Sequence, residues 1–194
     1  MSDMATPALA GKTREEGWRL VQENVKNEGL RKHMLSVEGA MRAYARHFGA
    51  NEDYWGLLGL MHDWDWEIHP SAPDHPTKGA AMLLEMGWPQ DFVRSILSHA
   101  SYTDVPRTEL QDHALFACDE LCGLIVATAL VKPSKSLAEV DARSVMKKMK
   151  DKAFARNVDR NDIVMGAEEL GRPLEEHIDF VVRALQGISQ ELGL

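Results

Sequence analysis

The stretch ALFACDELCGLIVATALV, residues 114–131, decides how the rest of the chain is read. It is apolar nearly all round a helical turn, which marks a central helix buried on every side. Yet Asp119 and Glu120 stand in its middle. A buried carboxylate costs several kcal/mol unless a cation or hydrogen bonds compensate it. Neighbours on a helix lie about 100° apart, so one of the two can turn to solvent while the other faces the core. Asp119 then has two readings. It pairs with a buried arginine or a helix N-terminus, or it binds a metal ion.

Outward from this helix, the periodicity stays helical and no alternating strand pattern with hairpin turns occurs. The fold class expected is all-α. Thr13 caps a first helix to about Asn27, with Glu16 completing a capping box and Gly29 breaking it. A second helix runs from about Leu30 to Phe48 and ends at Gly49. Asn51 caps a third, and prolines 70, 73 and 76 turn the following segment into a loop. Helices follow over about Thr77–Met86, Pro89–His99, Thr108–Val131, 136–150, Asp159–Leu170 and Pro173–Leu192. No repeat or linker interrupts the 194 residues, so a single domain over 1–194 is expected.

The composition is that of an ordinary globular chain, 44% hydrophobic and 27% charged. A net charge of −8 argues against nucleic acid or an anionic membrane as partner. Charge is uneven, since nine Lys/Arg stand against four acids between Val131 and Arg160. That excess holds an anion or simply forms a solvated face. Cys118 and Cys122, four apart on one helix face, form no disulfide framework, which fits a reducing compartment. No signal core is read in MSDMATPALAGKTREEG, and no apolar run reaches the ~20 residues of a membrane span. A cytoplasmic protein is expected.

A second stretch, LMHDWDWEIHPSAPDHP at residues 60–76, crowds three histidines and four acids directly after an apolar run. His62 and Asp63 end the third helix. His75 follows the prolines, His99 closes the run FVRSILSHA, and His33 lies beside Met34, Leu35 and Val37. A lone histidine on such a face is more often a satisfied core residue than a ligand. Four of them together with Asp119 change that balance, because imidazole with carboxylate suits Zn, Fe or Mn.

The order His33, His62-Asp63, Asp119 resembles the HD-domain superfamily of metal-dependent phosphohydrolases. DHPTKGAAML, residues 74–83, is similar to the helix start that supplies a further histidine in binuclear members. SILSHA supplies another at His99. CDELCGLIVATALVKPSKS is similar to their closing segment. The resemblance covers about residues 30–150 and implies a single HD-like helical bundle, with helices from 151–194 packed on it. It departs from the HD-GYP subgroup, having no GYP tripeptide after His99. It is closer to stand-alone HDIG-type proteins, although Trp64 and Asp65 replace Ile-Gly.

The resemblance implies a metal set of His33, His62, Asp63 and Asp119, with Asp63 bridging to a second ion on His75 and His99. His69 is the rival of His75, since both precede proline. The implied cofactor is one or two divalent ions among Fe, Mn, Zn, Ni, Co and Mg. The implied reaction is hydrolysis of a phosphate mono- or diester, such as a nucleotide, by a metal-activated water. Asp63, Asp65 and Glu67 are the expected catalytic carboxylates, and Lys78, Lys132 and Lys135 the expected phosphate holders. Trp64 and Trp66 pack or stack on a base. His47, His113 and His177 are left at the surface or behind the ligands. A small-molecule phosphoester is the expected partner, and a homodimer stays open. Two other functions fit the same ligands: a di-iron oxygenase and a non-catalytic metal-containing binding module.

Overall fold

A computed structural model describes residues 9–194; the reading of residues 1–8 as part of a leaderless N-terminus lies outside them. The described residues form α1 (Arg14–Asn24), α2 (Glu28–Phe48), α3 (Glu52–Met61), α4 (Asp74–Glu85), α5 (Gln90–Ser98), α6 (Leu110–Leu130), α7 (Ala142–Met149), α8 (Arg160–Glu169), α9 (Leu174–Gln186) and α10 (Ser189–Leu192). Short 3₁₀ turns lie at Ser101–Thr103 and Leu137–Glu139. There is no strand among the described residues, so the fold is all-α.

Most boundaries follow local chemistry. Thr13 accepts the Glu16 N–H at 3.2 Å. The Glu16 carboxylate, however, takes Lys12 at 2.6 Å instead of closing a capping box. The first break comes earlier than the glycine implied. Asn27 caps α2 through the Leu30 N–H at 3.1 Å, so Gly29 lies inside the first turn of α2. Asp141, whose side chain accepts from Ser144, splits the segment 136–150 into the 3₁₀ turn and α7. The last expected helix likewise divides into α9 and α10 at Gly187.

α6 lies at the centre, against α2, α3, α5, α7, α8 and α9. Its length and composition would also suit a membrane crossing, contrary to the sequence reading. Here its Leu115, Cys118, Leu121, Cys122 and Ile125 are fully buried in the core, with both cysteines unpaired. α2 and α3 approach so closely that a Cβ on Gly59 would stand 2.7 Å from the Val37 carbonyl oxygen. This contact lays α2 along α3 and brings His33 beside His62. α5 is pinned to α6 by Arg94, 2.7 Å from the fully buried Asp112. Between them, these contacts set His33, His62, His99 and Asp119 around one end of the core.

Candidate metal centre

Each prospective ligand sits where its helix stops or opens. His62 is the C-cap of α3, and His99 the C-cap of α5. His75 is the non-helical residue at the start of α4, with φ −81° and ψ 140°. His33 projects from α2 and Asp119 from α6. These residues form two groups whose ligand atoms lie within 4.8 Å of one another: His33, His62 and Asp119, then Asp63, His75 and His99.

The first group is tight. His33 Nε2 is 3.0 Å from Asp119 Oδ1. His62 Nε2 is 3.3 Å from the same oxygen and 3.1 Å from His33 Nε2. Ligand atoms about 2.1 Å from one ion are separated by roughly 3.0–3.4 Å in octahedral or tetrahedral geometry. The donor set therefore fits a metal ion in both spacing and atom type.

Asp63 joins the groups. Its Oδ2 faces His62 Nε2 at 3.5 Å and His33 Nε2 at 3.8 Å. Its Oδ1 faces His75 Nε2 at 3.2 Å and His99 Nε2 at 3.6 Å. One carboxylate thus presents an oxygen to each side, as a bridging ligand must.

The rings are held from behind. His62 Nδ1 donates to the Gly59 carbonyl at 2.8 Å, and His99 Nδ1 to the Ile96 carbonyl at 2.6 Å. A carbonyl only accepts, so the hydrogen is on Nδ1 and the lone pair of Nε2 is left for the cluster. His75 Nδ1 donates instead to Asp65 Oδ1 at 2.8 Å. Asp65 Oδ2 accepts the Gly79 N–H at 3.1 Å. Only glycine leaves room there, since a Cβ on Gly79 would meet Asp65 Cγ at 2.3 Å.

Without an ion, the cluster binds protons. Burial opposes charge on His62, but the carboxylates of Asp63 and Asp119 outweigh it and raise its pKa well above the usual range. Burial also opposes charge on His75, and hydrogen bonds to Asp63 and Asp65 overcome it, raising the pKa to about 9. Burial would raise Asp63 and Asp119, yet the histidines hold both carboxyls below their ordinary range.

The cluster forms the floor of an open cavity of about 460 Å³. Trp66, Tyr102, Phe116, Glu120 and Asp162 are in its walls. Tyr102 donates to the His75 carbonyl at 2.9 Å and ties the start of α4 to the 3₁₀ turn that follows α5. Glu120, the neighbour of Asp119 on α6, stands in the wall and accepts the Asp159 N–H at 3.1 Å. Burial, then the charge of Asp119, pushes its carboxyl up to about 8. Tyr102 and Asp162 carry no sequence signal, because the fold alone brings them beside the ligands.

Several expected roles change. Asp65 is fully buried behind His75 and does not line the cavity, so it orients a ring where a proton-transfer role was expected. Glu67 accepts the backbone N–H groups of Lys26 and Asn27 at 2.6 and 3.0 Å, around the corner from the cluster. Lys78 is exposed and pairs with Asp74 at 2.7 Å one helical turn away. Lys132 borders a separate basic concavity with Arg143 and Lys147. Thirteen residues separate it from Asp119, about 20 Å along a helix, and Lys135 lies further on. None of the three lysines is in the cavity wall. His69 is outside both ligand groups, whereas His75 belongs to the second. Trp64 is fully buried, but Trp66 is 40% exposed, its ring edge-on to His75 at 4.7 Å. His177 is not at the surface: it is fully buried, between Tyr44 and α6. Comparison with protein-family models, curated proteins and solved structures finds no match to this chain.

Proposed function

We propose that this chain is a metal-dependent phosphoester hydrolase of the HD type, acting on a small mono- or diester in the cavity above the cluster. The observation that carries the reading is Asp63, whose two oxygens face two separate groups of ligand atoms. The order of the ligands along the chain, His33, His62-Asp63, His75, His99, Asp119, supports it through the resemblance to HD-domain proteins.

Divalent ions bound there would supply a Lewis acid for the phosphoryl oxygens and a water of lowered pKa. The chain's own residues prepare that site. The carbonyls of Gly59 and Ile96 fix two rings, and Asp65 fixes a third. Burial of His62, His75 and His99 keeps bulk water from the back of the cluster. Asp63, Asp119 and His33 remain open to the cavity, where a substrate can reach them.

The test is metal analysis of the purified protein, followed by a phosphoester screen with added Mn, Co, Ni, Mg or Fe. The expected result is one or two ions per chain and phosphate release that is lost in His62→Ala and Asp63→Ala. Iron-loaded protein that consumes oxygen and releases no phosphate would replace this reading with an oxidative one. Bound metal without turnover of any kind would leave a binding module.

A further inference from the structure

We infer that the cavity selects a ligand with one phosphate-like group and no further negative charge, because its wall holds no cation and carries Asp162. The inference deepens the hydrolase reading by naming the substrate class of the same cavity.

Above its floor of ligands, the cavity wall contains three rings, Trp66, Tyr102 and Phe116, the amide of Asn157, and the carboxyls of Glu120 and Asp162. Among the described residues no lysine or arginine lines it. Three arginines lie near the wall: Arg156 is exposed beside Asn157 and outside the lining, and the other two are committed elsewhere. Arg107 stacks 3.8 Å from the centre of the Phe116 ring and forks onto Glu169 with both contacts at 2.7 Å. Arg160 gives its guanidinium to the carbonyls of Phe154, Ala155 and Val158.

The consequence is a matter of charge. One phosphate-like group can be received by cations held at the floor. A second anionic group in this open cavity of about 460 Å³ gives up part of its hydration and stands near the Asp162 carboxyl. Ring faces, the Asn157 amide and the Ser101 hydroxyl are there to receive it, with no cation among them, and an anion stripped of water without a cation costs up to several kcal/mol. The same rings accept an apolar remainder or an ammonium group without that penalty.

The experiment uses phenylphosphonate and its 4-carboxy and 4-aminomethyl derivatives, which share a head group and have no ester bond to hydrolyse. Binding to the Mn(II)-loaded protein is measured by calorimetry, beside a separate turnover assay with phenyl phosphate. The carboxy compound is expected to bind at least tenfold more weakly than phenylphosphonate, and the aminomethyl compound at least as tightly. Asp162→Lys should reverse the order of the two derivatives. Arg156, exposed beside Asn157, is replaced by Ala in parallel. Equal or tighter binding of the carboxy compound, through Arg156 or otherwise, overturns the inference, as does failure of all three to bind. Failure of phenyl phosphate turnover with the binding order intact counts against hydrolysis and leaves the charge selection standing.

Discussion

Asp65 shows how a residue can matter to a candidate metal site without belonging to either group of ligand atoms. Its carboxylate is fully buried, shared between His75 Nδ1 and the Gly79 N–H. A partner of this kind fixes a ring's orientation and raises its basicity, and its loss commonly weakens metal affinity by 10–100-fold. Asp65→Asn keeps an acceptor for the His75 hydrogen but removes the charge. The expected result is weaker binding at the His75–His99 group by about one to two orders of magnitude, with the His33–His62–Asp119 group much less affected. Metal titration followed by spectroscopy of Co(II)-loaded protein resolves the two. Equal weakening of both groups, or of neither, would contradict the assignment. Nothing in the sequence distinguished Asp65 from Glu67, since both are acids two and four residues after Asp63. Only the packing of Gly79 against one of them separates a buried orienting group from a solvated cap.

At the scale of elements, the sequence carried much and lost the rest for identifiable reasons. The central position of α6 was legible, because a helix apolar on all sides has nowhere else to go. So was the all-α class, through the 3.6-residue period. The splitting of α7 from the turn before it depended on one cap at Asp141 competing with a continuous basic pattern. The burial of His177 was not legible because its pattern on α9 is that of any amphipathic helix, and its partners lie 133 and 60 residues away. Tyr44 of α2 donates to His177 Nδ1 at 2.6 Å, and His177 Nε2 donates to the Ala117 carbonyl of α6 at 2.9 Å. Three helices are thus tied by one neutral ring. Burial pushes its pKa down to about 4. The unfolded chain therefore binds this proton first, and stability present above pH 6.5 is lost as pH falls towards 4. A shift of this size corresponds to ~3 kcal/mol once both states are past their pKa. Denaturant unfolding of the metal-free protein should show this acid loss, and His177→Gln should flatten it between pH 6.5 and 4. An unchanged slope in the variant would move the cause to another group.

For the whole molecule, the ligands come from α2, the end of α3, the start of α4, the end of α5 and the middle of α6, so the unfolded chain holds no such site. Binding free energy then adds to folding free energy, by ~2.7 kcal/mol for a site at a hundred times its dissociation constant. In a chain of this size that corresponds to a rise of roughly 5–11 °C in Tm for each site filled. The protons on the cluster give this linkage a pH dependence of fixed sign. In the metal-free protein His75 has its pKa raised to about 9. Its contribution to stability is complete below the unfolded value near 6.5 and is lost as pH rises through 9, a change of ~3 kcal/mol. An ion must displace that proton, and the one on His62, so affinity rises over the same interval. The metal-free protein loses stability over that interval, whereas the loaded protein, whose bound imidazoles carry no proton and whose unfolded imidazoles carry none above pH 6.5, keeps it. The difference in Tm between the two should widen steadily from pH 6.5 to 9 in wild type. In His75→Gln, which has no proton to surrender at that position, the widening should be smaller. A difference in Tm that stays constant across the interval would mean that the ions bind elsewhere on the molecule.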